Sequence, residues 1–194
     1  MLCSSCKNNL ESYMNFCPYC GTKVSSYSNV FTDPRDGNVY KTVKIGTQIW
    51  MAKNLVYAAE GSKCFERKYG RLYNWATAKN ASPVGWHLPT NNDWLELIAF
   101  AGGVVVAGKN LKTKHGWDDF GNGLDTFGFA ALPGGHGDSD GYFDDAGYYA
   151  RWWSATESGS HKAYSWGMSY DYDGTYWSND SIENFFSIRC LQNL

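Results

Sequence analysis

The chain has 194 residues and a net charge of −2, enough for one main domain plus a small accessory module. Nine Trp, fourteen Tyr and 21 Gly, with 17% aromatic residues, exclude an architecture dominated by long helices and point to short strands and structured loops filled by rings. Charge is unevenly placed: residues 1–117 carry fourteen basic and seven acidic side chains, residues 118–194 three basic and twelve acidic, and so acidic a second half disfavours nucleic acid as a partner.

Cys3-Ser4-Ser5-Cys6 and Cys17-Pro18-Tyr19-Cys20 are two CxxC knuckles with ten residues between them, followed by Gly21. The spacing resembles a short zinc ribbon. Two-residue gaps let both thiolates of a knuckle face one metal, and Cys3, Cys6, Cys17 and Cys20 would complete a closed tetrahedral zinc site. Two disulfides are the alternative and need an oxidising compartment. A closed site has no open coordination position, so its expected role is structural or in partner docking. The polar run Ser25 to Val30 reads as a linker, giving a ribbon over 1–24, a linker over 25–30 and a main domain over 31–194.

The main domain opens with turn residues Asp33 to Asn38, then two short strands over Val39–Met51 around Gly46. Next, Leu72, Trp75 and Ala76 share one face of an expected helix. In Gly85–Pro89, Pro89 restricts Leu88 to extended backbone, so Trp86–Leu88 is expected as a strand. Thr90 or Asn91 then caps a second helix: Asp93 suits its first turn, Trp94, Leu97 and Ile98 form its apolar face, and Gly102-Gly103 stop it. The two helices are expected to pack on each other.

Six ordered motifs carry a family resemblance: Asp33 to Leu55, Gly70 to Trp75, Gly85 to Pro89, Gly128 to Gly135, Trp152 to Glu157 and Ser187 to Cys190. Over about residues 31–194 the chain resembles the Fibrobacter succinogenes major paralogous domain. The resemblance implies an α+β, C-type-lectin-like fold with two helices, a twisted, mostly antiparallel sheet with paired terminal strands, and long irregular loops. It also implies kinship with the formylglycine-generating domain and with the variable proteins of diversity-generating retroelements. The chain departs from the family at Ser82-Pro83-Val84, where the family often carries a Cys. Cys64 and Cys190 are then the cysteines outside the ribbon, either reduced or bridged.

The stretch 116–145 is rich in Gly and Asp. It could coordinate calcium, or its glycines could serve tight corners with solvated aspartates around them. Further on, Tyr164, Trp166, Met168, Tyr170 and Tyr172 alternate with small or polar residues, the pattern of a strand with one aromatic face. Trp166 and Met168 are expected in the core. Tyr164, Tyr170, Asp171, Tyr172, Asp173, Tyr176, Trp177, Asn179 and Asp180 read as a binding face, combining rigid rings with adaptable polar groups. In the retroelement-linked relatives this region is rewritten at adenines, and residues 169–176 and 178–181 all fall within the resulting residue set. Phe186, Ile188 and Cys190 are expected to alternate inward on a closing strand.

His87, His115, His136 and His161 have no metal-pair or base-nucleophile spacing, and Ser154 lacks a nucleophile-elbow context. The expected function is therefore non-enzymatic recognition of a protein or glycan ligand. A structural or assembly module that buries the aromatic face in an oligomer is the alternative, and a formylglycine-generating-like enzyme a remote one. No window approaches the ~20 apolar residues of a membrane span, and no export signal precedes Cys3. A cytoplasmic location is expected, with export by another route or phage association left open.

Overall fold

A computed structural model describes residues 5–9, 17–21 and 29–193. Three strands open the main body: β1 (Val30–Thr32), β2 (Val39–Ile45) and β3 (Gln48–Met51), each antiparallel to the next. The corner between β2 and β3 is the expected one, with Gly46 at a φ of 61°, a left-handed conformation that suits glycine.

The first helix, α1 (Trp75–Ala81), starts later than expected. Asn74 has extended backbone and caps the Thr77 N–H, which leaves Leu72 outside the helix, bridging Lys63. Ala76 is exposed, and Trp75, Ala78 and Ala81 form the buried face. The short β4 (Trp86–His87) leads to α2 (Asn91–Phe100), where Thr90 and Asp93 close a reciprocal capping box and Trp94, Leu97 and Ile98 are buried. Gly103 N–H reaches back to the Ile98 carbonyl at 2.9 Å, with Gly102 and Gly103 both at positive φ, so the expected stop is the observed one. An unanticipated α3 (Ala107–Leu111) follows.

The second half supplies β5 (Gly134–Gly137), β6 (Phe143–Ala146), β7 (Tyr149–Gly159), β8 (Lys162–Ser169), β9 (Tyr176–Ser181) and β10 (Leu191–Gln192). Two sheets result rather than one, in the orders β1-β2-β3-β10-β4 and β6-β5-β7-β8-β9. All named pairings are antiparallel except β5 with β7. The architecture is α+β.

Strand β7 explains why the helices do not pack on each other. Consecutive side chains of a strand point to opposite faces, and both Trp152 and Trp153 are fully buried. Trp152 joins one core cluster with Trp50, α2 and α3, while Trp153 joins another with Tyr40, Tyr73 and α1. Helices α1 and α2 thus each pack on β7 within a separate cluster.

The closing strand is shorter than expected, because only Leu191–Gln192 enter the ladder, between β3 and β4. Residues 186–190 run between the sheets instead, through bridges Tyr73–Phe186 and Trp152–Ser187. Enclosed on all sides, Ser187 and Arg189 are buried as deeply as Phe186, Ile188 and Cys190. The Arg189 guanidinium donates to Asn54 Oδ1 at 2.8 and 3.1 Å, to the Met51 carbonyl at 3.2 Å and to the Phe129 carbonyl at 2.5 Å. Asn54 Oδ1 also accepts the Trp152 indole N–H at 2.8 Å. No helix among the described residues is long and apolar enough to cross a membrane.

Candidate functional site

Strand β9 is the edge of the second sheet, so one side of its backbone has no strand partner among the described residues. Its register on β8 sorts the expected binding residues. Tyr164 lies opposite Asn179, and Trp166 opposite Trp177, so these four share a face. Trp166 is buried and its indole N–H donates to Asn91 Oδ1 at the start of α2. Trp177 remains 55% exposed, its ring 5.7 Å from that of Tyr164, with exposed Asn179 two residues on. Eight of the nine tryptophans are buried, and Trp177 is the ninth.

Tyr176 and Asp180 point to the opposite face. There Arg151 Nη1 donates to both Asp180 carboxylate oxygens at 3.0 and 3.1 Å, and Ser165 Oγ donates to Oδ2 at 2.5 Å. Half-buried Tyr176 lies beside the same guanidinium, and burial raises its phenol pKa while Arg151 pulls the other way. These two residues are engaged within the protein, in contrast to Trp177 and Asn179.

Tyr170, Asp171, Tyr172 and Asp173 form the turn from β8 to β9, and α3 holds it. Buried Lys112 donates to the carbonyls of Ser169 at 2.9 Å and Tyr172 at 3.0 Å, and burial pulls its ammonium pKa below the usual lysine value. Lys109 N–H donates to the Asp173 carbonyl at 2.6 Å, and Thr175 N–H to that of Val104 at 2.7 Å. Tyr170 is half-buried, 5.2 Å from the Tyr148 ring, and Asp171 accepts the Ser169 hydroxyl. Only Tyr172 among these rings is exposed, at 41%. Sequence reading missed Lys112 and Arg151, because their partners are carbonyls or a carboxylate many residues away.

Gly108 of α3 touches this turn so closely that a Cβ there would overlap the Gly174 carbonyl oxygen. Helix propensity favours Ala over Gly by ~1 kcal/mol, but overpacking costs ~1–3 kcal/mol, and backbone has little room to yield. Gly108→Ala is therefore expected to lower stability in urea unfolding although it improves the helix. A rise in the midpoint would show that α3 does not clamp the turn.

At the other end of the chain, the sulfurs of Cys6, Cys17 and Cys20 lie within 4.8 Å of one another, and Cys3 lies outside the described residues. Thiolates ~2.3 Å from a tetrahedral zinc sit ~3.8 Å apart, so the three present fit such an ion. Cys17 also accepts hydrogen bonds from the Tyr19 and Cys20 backbone N–H groups, which favour the thiolate a metal needs, although desolvation has the larger effect and pushes the thiol up to about 11. Residues 22–28 of the expected ribbon and linker lie outside the described residues.

In the Gly/Asp-rich loops, Asp138 Oδ1 accepts the N–H groups of Asp140 and Tyr142, and Asp144 Oδ1 that of Asp145. Asp145 lies 3.5 Å from His136 Nδ1. His87 Nδ1 is 2.7 Å from Asn193 Oδ1. Cys64 is exposed and Cys190 buried, 3.6 Å from Ser82 Oγ, and the two are not joined.

These features define an α+β protein whose tryptophan-filled body holds a short, clamped turn and an aromatic edge strand at its surface. The chain belongs to the Fibrobacter succinogenes major domain family, whose model matches residues 43–192. That match begins inside β2 and ends with the last residue of β10, so it takes in the whole first core cluster, the second apart from Tyr40, and the candidate face. No curated protein and no solved structure matches the chain.

Proposed function

We propose that this protein is a non-enzymatic recognition module: a C-type-lectin-like scaffold that presents its C-terminal edge to a protein or glycan ligand, with an N-terminal zinc ribbon for tethering or docking. The observation that carries the reading is Trp177. A chain that buries eight tryptophans leaves this one exposed on an edge strand, beside Tyr164 of β8 and near Asn179. Exposed Trp and Tyr on a rigid support are what binding hot spots are made of. The scaffold reading is supported by the few helices, the two mostly antiparallel sheets and the return of β10 to the opening hairpin.

The test is a glycan array and a displayed-protein screen with the wild type and a Trp177→Ala/Tyr172→Ala variant. Hot-spot rings are worth ~2 kcal/mol or more each, so binders of the wild type should lose at least about 30-fold in affinity with an unchanged melting curve. Binders that do not distinguish the two proteins would remove the reading.

Adenine-directed diversification of this segment is part of the proposal, with a boundary set by packing. Tyr172, Asp173, Ser178 and Asn179 have room to vary, whereas a side chain at Gly174 would overlap the Val104 carbonyl oxygen. A neighbouring template repeat is expected to spare codon 174.

The ribbon would hold zinc through Cys3, Cys6, Cys17 and Cys20, where the metal's contribution is to fold a segment too short for its own core. One zinc per chain is expected by elemental analysis of freshly reduced protein, falling to well below one in Cys17→Ser. A metal-free wild type would defeat the assignment.

Assembly is the second reading, favoured by the open β9 edge, a ready template for another strand. Light scattering over a concentration series separates the two: recognition requires a monomer with Trp177 accessible, and assembly a mass that rises with concentration. Against catalysis of the formylglycine-generating kind stands the burial of Cys190, whose thiol is pushed up to about 12.

A further inference from the structure

A second surface, remote in sequence from the aromatic edge, has the opposite charge. A cleft of about 490 Å³ lies between the segment after β3 and the 3-10 turn Arg67–Tyr69, and its lining includes Asn38, Lys53, Cys64, Arg67 and Arg71. Among the described residues no carboxylate lines it. All of these residues come from the basic first half of the chain.

The walls of the cleft are tied together by hydrogen bonds. Asn54 Nδ2 donates to the Tyr69 carbonyl at 2.9 Å, Arg71 N–H to the Leu55 carbonyl at 3.2 Å, and Lys63 and Leu72 bridge. Gly70, at a φ of 99°, lets the two segments close up, because a Cβ there would sit 3.0 Å from Asn54 Cβ. The Arg71 guanidinium is fixed by its Nε bond to Ser62 Oγ at 2.8 Å and its Nη2 bond to the Ser62 carbonyl at 2.9 Å. Lys53 and Arg67 are exposed and form no ion pair among the described residues.

Three cations gathered around one concavity repel one another and focus a positive potential into it. None of the three forms an ion pair among the described residues, whereas Arg35, Lys109 and Arg151 each have an aspartate. We propose that this cleft is a binding site for the oxyanion of a small ligand, a carboxylate, phosphate or sulfate group on a molecule of sugar size. Arg67 and Arg71 suit it as planar, fork-shaped donors, and Lys53 as a mobile point charge. The volume falls within the range of small-molecule sites, roughly 300–1,000 Å³. The proposal does not depend on the aromatic edge being a ligand face.

Cys64 makes the cleft measurable, since an occupant shields its thiol. The rate of Cys64 alkylation by iodoacetamide is followed by peptide mass spectrometry with added phosphate, sulfate or glucuronate, using glucose and sodium chloride of matched ionic strength as controls. At least one oxyanion should slow alkylation saturably where the controls do not, and the trio tells a carboxylate ligand from a phosphate or sulfate one. In Lys53→Gln/Arg67→Gln the concentration needed for half protection should rise at least about ten-fold, equivalent to ~1.4 kcal/mol. Lys53→Gln alone should give a smaller rise. Both side chains are exposed and unpaired, so the variant's melting curve should match the wild type. Alkylation rates that ignore all three anions, or protection that survives in the double variant, would overturn the proposal.

Discussion

Replacing Arg189 with Ala is expected to cost roughly 3–5 kcal/mol of folding stability, a large part of the ~5–15 kcal/mol typical of a domain. Two effects oppose each other. Burial disfavours the guanidinium charge and pulls its pKa down to about 9, with Asp125 opposing, so deleting the cation recovers a desolvation cost. Against this, the Phe129 and Met51 carbonyls lose a donor in a buried site, each such loss costing ~1–3 kcal/mol, while Asn54 Oδ1 keeps the Trp152 N–H. A cavity also opens under the Phe129 ring, which the guanidinium covers at 4.5 Å. Two carbonyls short of a donor plus a cavity outweigh one recovered charge. Urea unfolding of Arg189→Ala and Arg189→Lys checks this, because Lys keeps the charge but cannot reach Asn54 and two carbonyls together. If Arg189→Lys matches the wild type, the branched hydrogen-bonding role fails.

The second large effect is expected at alkaline pH. Cys190 is fully buried and its thiol is pushed up from 9.0 to about 12 by desolvation. Burial likewise raises the Tyr40 and Tyr73 phenols above their usual value of 10.0. Below pH 9 both folded and unfolded chains keep these protons, and stability is unaffected. Above it the unfolded chain releases them while the folded chain holds them, so each group removes stability as pH rises, by ~1.4 kcal/mol per pH unit. For Cys190 the window runs from pH 9 to about 12, and for the tyrosines it begins at pH 10. Arg189, with its lowered folded pKa, acts in the opposite direction above about pH 9, so it offsets Cys190 between pH 9 and 10, and the net fall sets in from pH 10, where the tyrosines join. Cys190→Ala should flatten the fall in unfolding free energy between pH 9 and 11 relative to the wild type. Superimposable profiles would show that Cys190 is not the buried acid.

Local signals survived folding where the chain decides its own conformation. Thr90 with Asp93, Gly46, and Gly102-Gly103 are short-range devices, and each does in the fold what its type suggests. Helix α1 was displaced because a short-range signal, the Asn74 cap, overrides the apolar spacing that includes Leu72. The separation of the helices by β7 could not be read from Trp152-Trp153, since a doubly buried strand and a hydrophobic helix start look alike over so few residues. The binding face was legible as composition but not as orientation. One residue of register decides whether a ring joins Trp177 at the surface or Tyr176 beside Arg151. The basic cleft was visible only as a charge asymmetry, because Lys53, Arg67 and Arg71 converge through the Gly70 contact.

The position of β10 also sets when folding can finish relative to synthesis. The slot between β3 and β4 stays empty until residues 186–192 leave the ribosome, and Arg189 reaches partners 135 and 138 residues upstream. At typical elongation rates of ~5–20 residues per second, the opening hairpin waits roughly 7–30 s with Trp50 and Tyr40 uncovered. Contacts this distant make for slow closure. During that interval the nascent chain presents an open strand edge and two half-built aromatic clusters, so its yield in a cell should depend on chaperone capacity more than the stability of the finished protein would suggest.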